Sequence, residues 1–114
     1  MRKFIFLLCC GVCFSAYAQK WEMKQAPLMT PWSKNIDIHH VLPEYPRPLM
    51  QRGDWKNLNG VWEFEMRVEG DRLPAKRKLH EKILVPYPWE SALSGVRRQL
   101  STKRAGYERT YTLP

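Results

Sequence analysis

Apolar and charged residues alternate without a break through Trp62-Glu63-Phe64-Glu65-Met66-Arg67-Val68, the clearest periodic stretch of the chain. A period of two belongs to a strand, so Trp62, Phe64, Met66 and Val68 are predicted on one face and Glu63, Glu65 and Arg67 on the other. One face buried and one wet is the pattern of an antiparallel sandwich. Asn57-Leu58-Asn59-Gly60 before this strand and Glu69-Gly70-Asp71 after it supply turn chemistry at both ends. A second strand is predicted at Lys82-Ile83-Leu84-Val85-Pro86, short, β-branched and stopped by proline. A third is predicted at Tyr107-Glu108-Arg109-Thr110-Tyr111-Thr112-Leu113, again alternating. The connection over 87–106 holds Pro88, Ser91, Ser94 and Gly95, and loops of that length in compact domains are functional or disordered as a rule. The class is therefore all-β and antiparallel. So few strands cannot close a sandwich, and the last would leave an open edge. With the sequence stopping at Pro114 directly after a strand, residues 51–114 read as the N-terminal part of an incomplete β-sandwich.

Upstream, the pattern changes twice. Residues 19–50 carry Pro27, Pro31, Pro43, Pro46 and Pro48, and proline fixes φ and removes a donor, so neither a long helix nor a central strand runs through them. An irregular, extended lead-in is predicted there. Before it come Arg2 and Lys3, an apolar run from Phe4 to Phe14, and Ser15-Ala16-Tyr17-Ala18 with its A-x-A spacing. That is the order of a secretory signal peptide over 1–18, cleaved after Ala18. The apolar run is about half the roughly 20 residues that span a bilayer, which speaks against a stable membrane anchor. The residues preceding Cys9, Cys10 and Cys13 are Leu8, Cys9 and Val12, not the small residue that lipid attachment requires. Export to the periplasm or outside the cell is expected.

Charge and cysteine content narrow the chemistry. All three cysteines lie in the leader, so the processed chain has neither a disulfide nor a thiolate metal site. Lys and Arg number 19 against 11 Asp and Glu, a formal charge of +8, two units of which leave with Arg2 and Lys3. An excess of that sign invites a nucleic-acid hypothesis. The basic residues are interspersed with acids, however, with short clusters such as Lys76-Arg77-Lys78 and Arg97-Arg98, so a solvated surface without nucleic-acid binding is the expectation. His39 and His40 are neighbours in extended chain with opposed rings, a poor start for a metal site. His80-Glu81 lacks the second histidine of a zinc-protease helix. Arg52-Gly53-Asp54 is a three-residue match of the kind that chance supplies. No metal, cofactor or catalytic residue is assigned.

Four phrases occur in order: Leu42-Pro43-Glu44-Tyr45-Pro46-Arg47-Pro48; Asp54-Trp55-Lys56-Asn57-Leu58-Asn59-Gly60-Val61-Trp62; Ile83-Leu84-Val85-Pro86-Tyr87-Pro88-Trp89-Glu90-Ser91-Ala92-Leu93-Ser94-Gly95; and Tyr107-Glu108-Arg109-Thr110-Tyr111. Together they resemble the opening of bacterial family 2 glycoside hydrolases, the group of β-galactosidases, β-glucuronidases and β-mannosidases. The resemblance covers residues 42–114. It implies a jelly-roll, galactose-binding-like β-sandwich as first domain, followed in complete members by an immunoglobulin-like sandwich and a (β/α)8 barrel. Trp55 and Trp62 are then expected to plug the sandwich core, with an exposed platform for a sugar ring as the other use of such rings.

Retaining glycosidases need two carboxyl groups about 5 Å apart, one protonated and one ionised. In the family these glutamates stand on the barrel, the acid/base after an asparagine, and this chain has no Asn-Glu pair. Glu63 and Glu65 share a strand face, but as surface charges. The chain alone is expected to be catalytically inactive. Its expected partners are a β-linked glycan and the remaining domains of a parent glycosidase. The resemblance implies that the loop after the second strand, which Pro86 and Pro88 stiffen, walls the substrate pocket, so the expected substrate contacts are Trp89, Glu90 and Ser91. The rival readings are Trp89 as a cap of the sandwich with Glu90 opening a turn, and, for the whole chain, a carbohydrate-binding or interaction module without chemistry.

Overall fold

The structure, a computed structural model, describes residues 19–72, 78–99 and 104–113. The leader at 1–18, and Lys76 and Arg77 of the basic cluster, lie outside the described residues. Three strands form one antiparallel sheet in the order β2-β1-β3, with β1 at Gly60–Arg67, β2 at Glu81–Val85 and β3 at Arg104–Glu108. Among the described residues helix is confined to three short 3-10 turns, Pro31–Asn35, Pro48–Met50 and Ala92–Ser94. The architecture is all-β. The first two turns each open on a proline, whose fixed φ suits that position and whose missing N–H would have had no partner there.

The start of β1 is set by asparagine and glycine chemistry. Asn57 Oδ1 accepts the Asn59 N–H at 2.7 Å, closing an Asx turn. The Asn57 and Asn59 amides reach back to the lead-in, donating to Leu42 O at 2.8 Å and Val41 O at 3.2 Å. Gly60 then takes φ +131, where a Cβ would press on Arg109 Nη1 at 3.0 Å and Ile38 O at 3.4 Å. Only glycine meets both conditions easily.

From that point the registers follow. Trp62 pairs with Ile83 and Phe64 with Glu81 across β2; Phe64 pairs with Tyr107 and Met66 with Ala105 across β3. Phe64 and Ile83 are fully buried and, with Val96, form a core against which Trp62, Met66, Val85, Trp89 and Ala105 pack. That is the face the alternation in β1 indicated, with one correction. Val68 is outside the strand and 66% exposed, because its carbonyl already accepts the Asp71 N–H of the following turn.

The opposite face is not simply wet. Leu84 is fully buried there, paired with Val61, and Leu79 and Arg67 are buried as well. The Arg67 charge is buried as an ion pair, its Nη2 2.8 Å from Glu65 Oε2, although its Nε has no hydrogen-bond partner among the described residues. Glu63 is likewise engaged by Lys82.

The third strand falls earlier than its alternation suggested. β3 covers Arg104–Glu108, and residues 109–113 form no strand. Pairing stops after Glu63 with Glu108, where the Arg109 guanidinium turns to donate to Leu58 O at 2.5 Å and Asn59 O at 2.7 Å. Tyr111 and Leu113 remain exposed. Trp55 is also no core plug. It is 40% exposed and tilts against Tyr45 with ring centres 4.8 Å apart, whereas Trp62 sits on the core with its Nε1 donating to Leu58 O.

Candidate functional site

The described part of the connection after β2 is folded. Tyr87 N–H donates to Leu84 O and Ser91 N–H to Pro88 O, two successive turns that carry the chain off the sheet around a cis Val85–Pro86 bond. The Ala92–Ser94 turn follows, its start capped by Ser91 Oγ accepting the Leu93 N–H at 3.1 Å, its end closed by Gly95 at φ +84. This described part is thus a folded platform packed on β2.

Between this platform and the sheet lies an apolar cleft of about 440 Å³. Trp62 comes from β1, Val85 from β2 and Tyr107 from β3, and the loop adds Pro86, Tyr87, Pro88 and Trp89. Beneath it Phe64 organises the rings, stacked with Trp89 at 6.4 Å between centres and edge-on to Tyr107 at 5.1 Å. Burial pushes the Tyr107 hydroxyl up from its ordinary value, and the nearby Glu90 carboxylate adds to the rise by disfavouring a second negative charge. The phenol is therefore a neutral donor.

The three expected substrate contacts have separate places. Trp89 forms a wall of the cleft and also packs on the core; its Nε1 is buried and has no hydrogen-bond partner among the described residues. Glu90 is exposed and is not in the lining, though its carboxylate is near enough to act on Tyr107. Ser91 is not in the lining, and its hydroxyl is engaged in capping the turn. Tyr107, Trp62 and Tyr87 are the aromatic residues of the cleft that sequence reasoning did not select as substrate contacts. For Tyr107 the signals were its place in an alternating run and in the fourth phrase, and neither announces its arrival at the cleft, which depends on the β1–β3 register.

The other face of the sheet carries a charged hollow of about 350 Å³ lined by Val61, Glu63, Lys78, Lys82, Glu108, Arg109 and Thr110. The hydrogen bond from Lys82 Nζ holds the Glu63 carboxyl below its ordinary range; the Leu79 N–H works the same way, and burial opposes them. Oε1 accepts from Lys82 at 3.0 Å and Oε2 from Leu79 N at 3.0 Å. A carboxylate fixed at both oxygens and held ionised is a structural anchor rather than a proton donor or nucleophile. At the lead-in, the His39 N–H lowers the Asp37 carboxyl and donates to Oδ1 at 2.8 Å, and His40 stands 3.3 Å from Oδ2, all exposed. Among the described residues no group of His, Cys, Asp and Glu side chains could hold a metal ion, and no helix is long and apolar enough to cross a membrane.

No protein-family profile matches the chain, and no curated protein matches it.

Proposed function

We propose that this chain is the N-terminal sugar-binding part of an exported family 2 glycoside hydrolase acting on a β-linked glycan, its jelly-roll sandwich completed by further strands of the parent enzyme. The single observation that carries the reading is the aromatic cleft under the Pro86–Trp89 loop. A pyranose ring presents axial C–H bonds on one face and hydroxyls around its edge. The cleft matches that division, with tryptophan and tyrosine rings for the apolar face and the Tyr107 hydroxyl for the edge, the Glu90 carboxylate acting on that hydroxyl from outside the lining. Support from the sequence comes from the four ordered phrases of 42–114 and the A-x-A leader. In this reading the loop walls the substrate pocket of the assembled enzyme, Trp89 serving as both wall and core, and export places the protein in the periplasm or outside the cell.

The chemistry belongs to the parent's barrel. Among the described carboxylates, Glu63 is bound at both oxygens and held ionised, which suits an anchor and not a general acid. A carbohydrate-binding module without chemistry is the second reading, favoured by the same cleft taken alone. Hydrolysis of aryl β-glycosides separates the two. Residues 19–114 should turn over none, and the protein encoded by a reading frame continued past Pro114 should do so, losing kcat/KM when Trp89 is changed to alanine. A frame that encodes no barrel, beside a chain that binds β-linked sugars, establishes the module instead. Turnover by the short chain that disappears in Glu63→Gln overturns the assignment of Glu63 as an anchor.

A further inference from the structure

A strap from the lead-in lies across the platform that carries Trp89. The Trp21 Nε1–H donates to Ser94 O at 2.8 Å, and the Lys24 N–H donates to Ala92 O at 3.1 Å. The Arg97 guanidinium returns the contact by donating to Gln25 O. The Trp21 ring sits directly on Gly95, where a Cβ would fall 2.7 Å from Trp21 Cδ1 and 3.0 Å from Glu22 O. Gly95 therefore meets two demands at once, the left-handed φ that ends the turn and the flat surface on which the indole lies.

Ser94 links this strap to the cleft. It is fully buried; its carbonyl takes the Trp21 bond, and its Oγ lies 2.7 Å from Ser91 O and 3.2 Å from Trp89 O while accepting the Val96 N–H at 3.0 Å. The Arg98 N–H reaches the same Trp89 carbonyl at 3.2 Å. Trp89 is thus held by its backbone. Its own indole N–H has no partner among the described residues, so no hydrogen bond at the ring sets the ring's angle against Phe64. Ser94 is thus one of two groups, with the Arg98 N–H, that hold the Trp89 backbone, and the Trp21 bond in turn holds the Ser94 carbonyl.

We propose that Trp21 is a positioning residue for the aromatic cleft, acting through Ser94 to hold the Trp89 ring in its wall. The part of this that concerns sugar rests on reading the cleft as a sugar site; the part that concerns the Trp89 ring does not. Fluorine NMR of the full chain carrying 5-fluorotryptophan reads the ring directly. The sequence has five tryptophans, and single Trp-to-Phe variants assign their signals. In Trp21→Phe the Trp89 signal should shift and broaden while the Trp62 signal, on the core and bonded to Leu58 O, stays in place. Gly95→Ala, which displaces the Trp21 ring from the other side, should give the same signature. Trp32→Phe, at a residue 78% exposed, should leave the Trp89 signal alone. With lactose and cellobiose as probes, Trp21→Phe should weaken binding about fivefold, the scale of one net hydrogen bond. A Trp89 signal unmoved by Trp21→Phe overturns the proposal, and so does a joint shift of Trp62 and Trp89, which marks general loosening. Failure of the wild-type chain to bind either disaccharide overturns the sugar reading alone, because the Trp89 signal still decides whether Trp21 positions the ring.

Discussion

On one face of the sheet Phe64, Ile83 and Val96 close a dry core beneath the rings of Trp62, Trp89 and Tyr107; on the other, Glu63, Lys82, Glu65 and Arg67 pair charges beside a buried Leu84. Both faces are covered, but by different forces. Apolar contact is non-directional and scales with buried area, so the first face tolerates a cleft in its outer layer while the inner layer carries stability. Ion pairing is directional, and here it runs from the largely buried Arg67–Glu65 pair to the partly exposed Glu63–Lys82 pair, so the pairs themselves add little net energy and mainly fix where strands and turns meet. The lesson is that the cleft can serve a ligand because stability is vested one layer below it, in Phe64.

The largest effect should come from that layer. Phe64→Ala removes a fully buried ring and should cost about 3–5 kcal/mol, measured by urea unfolding, enough to unfold a marginal domain. Next comes Ser94→Ala, which leaves the Val96 N–H without its hydroxyl acceptor inside the protein and should cost about 1–3 kcal/mol. Both losses belong to the aromatic side. If either proves smaller than the effect of breaking the Glu63 ion pair, the assignment of stability between the faces is reversed.

On the ionic face Glu63→Gln should cost about 1 kcal/mol near neutral pH, one charge-assisted bond at a partly exposed site. Its pH dependence carries the sign. The folded carboxyl is held below its unfolded value, so its contribution is present above the ordinary glutamate range and is lost as pH falls through that range into the depressed one. Unfolding curves of wild type and Glu63→Gln should therefore converge on acidification. A gap that widens instead means that Lys82 and Leu79 do not favour the ionised form. The smallest effect is expected at the strand's end. Val68→Ser should stay within about 0.5 kcal/mol, since Val68 lies beyond β1 and is exposed.

These residues also show what the sequence carried. Trp62, Phe64 and Met66 were legible because period two is a local property, and β2 because a β-branched run ending in proline has few other uses. Val68 and residues 109–113 continue the same alternation but have no strand partner, and pairing is settled by the neighbour rather than by the run itself. Arg67 looked solvent-bound because its burial depends on Glu65 and on the chain packed over that face. In the candidate site, Trp89 was found from its stiff proline-flanked loop. Tyr107 was not, since only the register opposite Phe64 brings it there. The Trp21 contact spans 73 positions and ends on a backbone carbonyl, an acceptor that every residue has, so no side-chain pattern announces it.

The central claim, that the rings above Phe64 form a sugar site, is tested most directly by calorimetric titration of the full chain with lactose and cellobiose, in wild type and in Tyr87→Ala. Tyr87 lines the cleft and stands apart from the buried core, so its loss should spare the fold. The account predicts saturable heat with at least one disaccharide and binding about fivefold to tenfold weaker in the variant, the worth of one aromatic contact, at unchanged melting temperature. Saturable binding that Tyr87→Ala leaves untouched, or no heat with either sugar, would contradict it.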